Sequence, residues 1–264
     1  MATDYLKTLP NDEVAAWYHR LAEMWTKGRP DLGFPQTLAD PLAGKFLQTW
    51  LDNRVAYKEY TFDAPAHLRS LEIRGVLDVL VFHRKVFLTE TRKKDGAWGG
   101  VLPRIQTKKW DMKGDLALEY ESLCSIGESF SDIARIQLAG TPAERDIMGA
   151  MHGFQLKSAC KLSAFPTANS SKVEIRFKEW YASVTDDYHW NPNKSLTLPN
   201  PDYKSKDPKA VSPEDKTLLV YHSNAKRLED AGMAAPFKVF IKPWQVNNPQ
   251  VSQQSAIIDT ARRL

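Results

Sequence analysis

The side chains best suited to chemistry lie in one run of four residues, Asp186, Asp187, Tyr188 and His189. They follow a long alternating pattern typical of a strand, in which successive side chains point to opposite faces. Asp187 and His189 therefore share one face, and Asp186 and Tyr188 share the other. A carboxylate beside an imidazole can orient it as a general acid or base, or the two can share a divalent cation. The tyrosine hydroxyl can donate a hydrogen bond to a phosphate or carbonyl oxygen.

Two histidines elsewhere in the chain could complete such a site. His222 ends a predicted strand, and we include it with residues 186–189 as a candidate catalytic residue. His152 immediately precedes a predicted strand. Whether either ring approaches His189 depends on the tertiary structure, and each also fits a surface histidine or a hydrogen-bonded one. The run at 186–189 likewise fits a simple strand exit with solvated aspartates and packed aromatic rings.

The basic residues near this run are Lys194, Arg176 and Lys178, which could hold a phosphate. The pattern places Arg176 and Lys178 on the solvated face of a hairpin, which favours a structural role for them. The residues specify no cofactor, and a divalent cation is the one candidate. His19, His67 and His83 have no neighbours in the sequence that indicate chemistry.

The familiar signatures of common enzyme classes are missing. The sequence contains no GxxxxGK[ST], GxSxG, HExxH, paired CxxC or GxGxxG motif. This argues against the common nucleotide-, zinc- and serine-dependent classes.

A long β-hairpin is the clearest structural pattern, and it positions the candidate residues. Apolar and polar residues alternate from Phe154 to Ala164, the polar segment PTANSS follows, and alternation resumes at Val173. This is the pattern of two strands buried on one face. The apolar set changes parity after Lys178, which predicts a β-bulge at Lys178 or Glu179. We expect the bend to carry residues 186–191 out of the sheet.

The remaining periodicities place helices mostly early and strands mostly late. Helical spacing predicts helices over residues 11–28, 41–52, 131–138, 141–150 and 223–231, with caps at Asn11, at Thr141 and at Ser223 or Asn224. Strands are predicted at 86–91, 108–120, 217–222 and 237–241, an extended surface segment at 191–213, and a frayed helix at 256–263. Residues 76–82 fit either a buried helix or a buried strand.

These elements predict an α+β fold in a single domain covering residues 1–264. Its parts are a helical N-terminal part (1–60), a β-rich core (100–242) with a mostly antiparallel sheet built around the hairpin, and a polar tail (247–264). Cys124 and Cys160 are the two cysteines, and the second lies on an apolar strand face. A buried free thiol is favoured there over a disulfide.

Charge and termini limit the location and the partners. The net charge is +4 and the sequence pI is about 8.9, but basic and acidic residues are interleaved, so no nucleic-acid partner is expected. The N-terminus lacks the basic and apolar regions of a Sec signal, and no apolar stretch is long enough to span a bilayer. We expect synthesis in the bacterial cytoplasm, with any export depending on a specialised secretion system.

The hairpin with its strand exit resembles the colicin M-like toxin domains and related uncharacterised bacterial proteins associated with secretion systems. The matching residues are Asp186, Tyr188, Trp190 and Asn191, and the segment RLEDAGMAAPFKVF is similar to a closing element of such proteins. The resemblance covers roughly residues 150–242. At the second aspartate of the motif this chain has His189. In place of a downstream His–Arg pair it offers only Lys194.

The resemblance implies a toxin or effector used in antagonism between bacteria. Colicin M-like enzymes cleave the phosphodiester of a lipid-linked peptidoglycan precursor, and the family's aspartate and tyrosine fall on Asp186 and Tyr188. We therefore expect a hydrolase of the phosphodiesterase type, with a lipid-linked phosphate substrate and an immunity protein or a secretion-machine component as partner. The alternative is a non-catalytic binding protein, such as an immunity partner, adaptor or effector chaperone, whose aromatic N-terminal helices supply the interface.

Overall fold

The computed structural model describes residues 4–30, 38–90, 116–126, 136, 140–169, 171–203, 217–253 and 255–259. Residue contacts group the chain into two compact units, each drawn from three separate segments. The first unit comprises residues 1–66, 126–153 and 186–240, and the second comprises 67–125, 154–185 and 241–264. The divisions fall inside three strands, Gly153–Pro166, Lys172–Tyr188 and Phe237–Gln245, as well as between elements.

The structure confirms an α+β protein with its helices mostly early in the chain and its strands mostly late. The helices are α1 (Asn11–Lys27), α2 (Leu42–Asp52), α3 (Ala66–Arg69), α4 (Arg74–Glu90), α5 (Pro142–Ala150) and α6 (His222–Asp230), with a 3-10 turn at Tyr5–Thr8 and a π-helical turn at Pro249–Gln253. The strands are β1 (Lys58–Phe62), β2 (Leu116–Ser125), β3 (Gly153–Pro166), β4 (Lys172–Tyr188), β5 (Ser195–Pro199), β6 (Thr217–Tyr221), β7 (Phe237–Gln245) and β8 (Ala256–Asp259).

The sheet is organised around β4. Its strand order is β1-β7-β4-β3-β2, with β8 also pairing with β4, while β5 and β6 form a separate two-stranded sheet. The hairpin of β3 and β4 is antiparallel, as predicted. Lys161 pairs with Glu179 and Leu162 pairs with Phe177, so Lys178 is the extra residue of a bulge. The bulge is where the change of parity predicted it.

The first unit has a core of helices in which aromatic residues dominate. Trp17, Tyr18, Phe46 and Trp50 of α1 and α2 are all fully buried. Gly44 permits the close approach of these two helices, because a Cβ there would lie 2.3 Å from Thr26 Oγ1. Helix α5 supplies the cap that the sequence of α2 lacks. The carboxylate of Asp146 accepts hydrogen bonds from the main-chain N–H groups of Leu42 and Ala43, both at 2.9 Å.

The second unit packs α4 on β2, and a buried histidine joins the helix to two strands. His83 Nδ1 lies 2.7 Å from Ser158 Oγ of β3, and His83 Nε2 lies 2.7 Å from Ser122 Oγ of β2. Because both ring nitrogens are engaged, the buried imidazole meets its hydrogen-bonding needs. Cys124 and Cys160 are buried free thiols, and burial raises the pKa of each to about 12. The prediction for Cys160 is confirmed, and neither thiol is reactive at neutral pH.

Several predicted elements differ from the structure. Residues 86–90, predicted as part of a strand, belong to α4, which also settles residues 76–82 as helix. The predicted helix at 256–263 is the strand β8 as far as Asp259. Short apolar runs carry no period long enough to separate helix from strand, so the packing partner decides.

Cap positions and the end of β4 also need correction. Helix α1 starts at Asn11 after Pro10, and α6 starts at His222, so neither predicted cap is the N-cap residue. Strand β4 continues through Tyr188, so Asp186 and Asp187 remain in the sheet after the bulge. Part of the predicted surface segment at 191–213 is β5. The helix predicted at 131–138 falls outside the described residues except for Ile136, as do residues 108–115 of one predicted strand and 204–213 of the surface segment.

Candidate functional site

The end of β4 follows the predicted alternation of exposure. Asp187 and His189 are exposed, Asp186 is half-buried, and Tyr188 and Trp190 are buried. All of these residues belong to the first unit. Asp187 and His189 therefore reach solvent on one face, while Tyr188 and Trp190 anchor the segment on the other, which they share with the half-buried Asp186.

The anchor is a cluster of aromatic rings from α1, α2 and β7. Trp190 contacts Tyr18 and Trp50 at ring-centroid distances of 5.5 and 5.7 Å. Tyr188 stacks on Phe237 at 5.1 Å, with 23° between the ring planes. Tyr188 is 7% exposed. Its burial favours a packing role for a ring that the sequence made a candidate for substrate binding.

The Asp186 carboxyl has the electrostatics of a proton donor or acceptor near neutral pH. Burial raises its pKa to about 6, and the negative charge of Asp187 adds to the effect. A main-chain hydrogen bond at Asp187 and the charge of His189 partly oppose it. A carboxyl with a pKa this close to neutrality can exchange protons during a reaction.

The His189 ring is held by the main chain rather than by a carboxylate. Its Nδ1 lies 2.9 Å from the main-chain carbonyl oxygen of Asp187. A carbonyl only accepts hydrogen bonds, so Nδ1 carries the proton in this contact. In the neutral ring Nε2 is then left as an acceptor that can take a proton from a bound water or substrate.

His222 is the second histidine of this neighbourhood. It is the first residue of α6, is 8% exposed, and contacts the ring of Trp190 edge-on at 4.9 Å. Neither ring nitrogen makes a hydrogen bond of full geometry among the described residues, although the main chain of Asn191 interacts with the ring. Burial lowers its pKa to about 4, and the charges of Lys194 and His189 lower it further, while the main chain of Asn191 acts in the opposite direction. The ring is therefore neutral at pH 7.

The charge of Lys194 acts on both His222 and His152. The main-chain N–H of His222 donates to the carbonyl oxygen of Lys194 at 2.9 Å. Burial lowers the pKa of His152, and the charge of Lys194 lowers it as well. The structure thus brings His222 into the electrostatic reach of His189, and it places His152 near the same lysine that acts on His222.

Glu229 is a member of the site that the sequence interpretation missed. Its side chain is 9% exposed, and its carboxylate accepts a hydrogen bond from Trp50 Nε1 at 2.9 Å. Burial raises its pKa, and the Trp50 hydrogen bond and the charges of Lys226 and His189 oppose the rise. Glu229 lies seven residues after His222, a spacing that puts both on one face of a helix. That spacing was the available signal.

Three further features concern metal binding, membrane spans and the basic residues of the hairpin. Among the residues that the structure describes, no group of three or more His, Cys, Asp or Glu side chains is arranged to hold a metal ion. Within the same ranges, no helix is long and apolar enough to cross a membrane. Arg176 forms an exposed ion pair with Glu174 at 2.8 Å, which fits its predicted place on the hairpin surface.

The fold and the site together define an α+β protein with histidines and carboxyl groups at the end of β4 and along α6. Comparison with protein-family models, with curated proteins and with solved structures finds no match for this chain.

Proposed function

We propose that this protein is a hydrolase of the phosphodiesterase type that acts as a toxin-like effector between bacteria. The observation that carries the proposal is the grouping of a half-buried carboxyl, an exposed imidazole and a buried imidazole at Asp186, His189 and His222. Lys194 adds a positive charge in the same place. Acid, base and cation are the groups that hydrolysis of a phosphodiester requires.

The chemistry follows from the protonation states of these groups. His189 Nε2 takes a proton from water as its oxygen forms a bond to phosphorus. The phosphorus–oxygen bond to the leaving alcohol then breaks, and the protonated carboxyl of Asp186 gives its proton to that oxygen. Asp186 suits the acid because its pKa of about 6 keeps part of the population protonated near neutral pH.

The substrate class and the setting come from the resemblance of the strand exit to colicin M-like domains. The resemblance implies a lipid-linked phosphodiester of the cell envelope as the substrate. It also implies that a contact-dependent secretion machine delivers this protein and that an immunity protein is its partner. Two of the aromatic residues that would supply the interface of the non-catalytic alternative, Trp17 and Trp50, are fully buried, which favours the hydrolase. Those rings form the core around which α1 and α2 pack, and they cannot act as exposed anchors.

Expression in two compartments tests the proposal. We expect the protein directed to the periplasm to arrest growth, and His189→Gln and Asp186→Asn to abolish the arrest while folding normally. The matched controls are His19→Gln on α1 and Asp52→Asn at the end of α2, both exposed and remote in sequence from the site. Absence of a growth defect in both periplasm and cytoplasm would exclude the toxin function. Unchanged toxicity of both site variants would exclude this site.

A further inference from the structure

The N-terminus of α6 has no side-chain cap among the described residues. Tyr221 occupies the N-cap position and makes no side-chain cap within the described chain, and the first turn holds no acidic residue. The positive end of the helix dipole is therefore left without a side-chain anion of its own. A free helix start is common, so this feature alone assigns no ligand.

The ring of His222 supplies an independent indication. The side chain is 8% exposed, and within the described residues neither nitrogen makes a hydrogen bond of full geometry, although the main chain of Asn191 interacts with the ring. Buried polar atoms are almost always hydrogen-bonded, because leaving them unpaired costs free energy that folding does not recover. One main-chain carbonyl can serve only one of the two nitrogens, so at least one nitrogen of this buried ring lacks a partner at a helix start, which is a second indication of a binding place.

The surrounding charges favour an anion. Lys194 carries an exposed ammonium, and its charge acts on His222 and on His152. The carboxylate of Asp4 also approaches this helix start, but it accepts hydrogen bonds from the Asn224 side-chain amide at 3.0 and 3.2 Å. The charge of His189 acts on the two nearby carboxyl groups, Asp186 and Glu229.

We propose that His222, Lys194 and the first turn of α6 form a binding subsite for a phosphate group. The Lys194 ammonium pairs with the phosphate, and the N–H groups of the first turn that follow His222 donate to it. The added negative charge lets the His222 ring take a proton and donate as well. The inference deepens the proposed function, on which its biological role rests, by assigning the residues that hold the phosphate beside His189.

The turn at residues 191–194 lies against the start of α6. The turn is closed by Lys194 N donating to Asn191 O at 3.0 Å and by Asn193 N donating to Asn191 Oδ1 at 3.1 Å. It touches α6 through the Lys194 carbonyl that accepts from His222 N.

Titration of the full chain with inorganic phosphate, followed by NMR at constant ionic strength set with chloride, tests this subsite. We expect saturable shifts of the His222 ring signals and of the amide signals of residues 191–194, with a rise in the pKa of His222. Lys194→Gln should weaken binding by about tenfold, as expected for loss of one charge-assisted contact. Lys194→Arg should retain binding. Lys27→Gln, at an exposed position of α1, is the control.

The outcomes separate the two proposals. The subsite is overturned if phosphate causes no saturable shift, or if it binds Lys194→Gln as tightly as the unaltered chain. Water alone then occupies the space beside the His222 ring. Phosphate that binds here while the protein shows no toxicity supports the subsite and rejects the hydrolase. Because Lys194 is exposed, its substitution tests binding without loss of the fold.

Discussion

His189 donates a hydrogen bond from Nδ1 to the main-chain carbonyl oxygen of Asp187 at 2.9 Å. The sequence pattern pairs these two residues as a carboxylate and an imidazole on one strand face. The structure instead orients the imidazole through the backbone, which is present whatever the side chain at position 187. Asp187 therefore contributes through its charge, which raises the pKa of Asp186.

The first prediction concerns Asp187→Asn. We expect this variant to keep most of the activity, because the carbonyl that holds His189 is unchanged. Loss of the negative charge should lower the pKa of Asp186. Because Asp186 acts in its protonated form, the fall of activity at high pH should then begin at a lower pH. Activity against pH is the measurement, with Asp52→Asn as control. Complete loss of activity would show that the carboxylate, rather than the carbonyl, is needed at position 187.

The second prediction concerns Asp186 and stability. Its folded-state pKa of about 6 lies above the ordinary value of 3.8, so the folded protein favours the protonated form. The stability that this preference contributes is present below pH 3.8 and is lost as the pH rises through 6. Asp186→Asn should therefore stabilise the protein above pH 6, by up to about 3 kcal/mol, and have little effect near pH 3.8. Urea unfolding at both pH values measures this, and a destabilised variant at pH 8 would contradict it.

The third prediction concerns His222→Phe. Its folded-state pKa of about 4 lies below 6.5, so its contribution to stability is present above pH 6.5 and is lost as the pH falls through 4. Phenylalanine, an apolar ring of similar shape, has no ring nitrogens to leave without full hydrogen bonds, and its contribution to stability does not fall at low pH. We expect the variant to be as stable as the parent at pH 7 and about 2 kcal/mol more stable near pH 5, while it loses phosphate binding. Thermal unfolding at the two pH values measures the effect, and marked destabilisation at pH 7 would contradict the absence of full hydrogen bonds at the ring.

The fourth prediction uses His83 as the contrasting buried histidine. Burial lowers its pKa to about 4 as well, but both ring nitrogens bond to serine hydroxyls. His83→Phe should destabilise the protein by about 2–4 kcal/mol, because it leaves the buried Ser158 hydroxyl and Ser122 without their partner. Adding Ser158→Ala should recover part of the loss. Urea unfolding measures both, and an unaffected single variant would show that the network adds nothing.

The fifth prediction concerns the bulge in β4. Deleting Lys178 leaves the pairs on either side intact and removes the one unpaired residue, so we expect a folded hairpin within about 1–2 kcal/mol of the parent. Deleting Tyr181, an exposed residue of the same strand, shifts one half of the strand by a residue and turns its buried face outward. That variant should not fold. Circular dichroism and thermal unfolding compare the two, and equal stability would show that the bulge does not set the register.

Local patterns in the sequence were sufficient for part of this structure. The hairpin, the bulge at Lys178 and the exposure of Asp187 and His189 all follow from the period of two along one strand. The capping box of α5 is also local. Thr141 Oγ1 accepts from Glu144 N at 3.1 Å, and Glu144 Oε2 accepts from Thr141 N at 2.9 Å. Each of these features depends on residues only a few positions apart.

Other features were decided by contacts between distant segments. Residues 86–90 are helical because α4 packs as one continuous element on β2, although their composition suits a strand. The aromatic residues of α1 and α2 form a core around Trp190 rather than an exposed surface. The grouping of His222 and Glu229 with His189 depends on where α6 lies relative to the end of β4. Side-chain periodicity indicates which face of an element is buried, but only the tertiary packing determines which residues of other elements meet it.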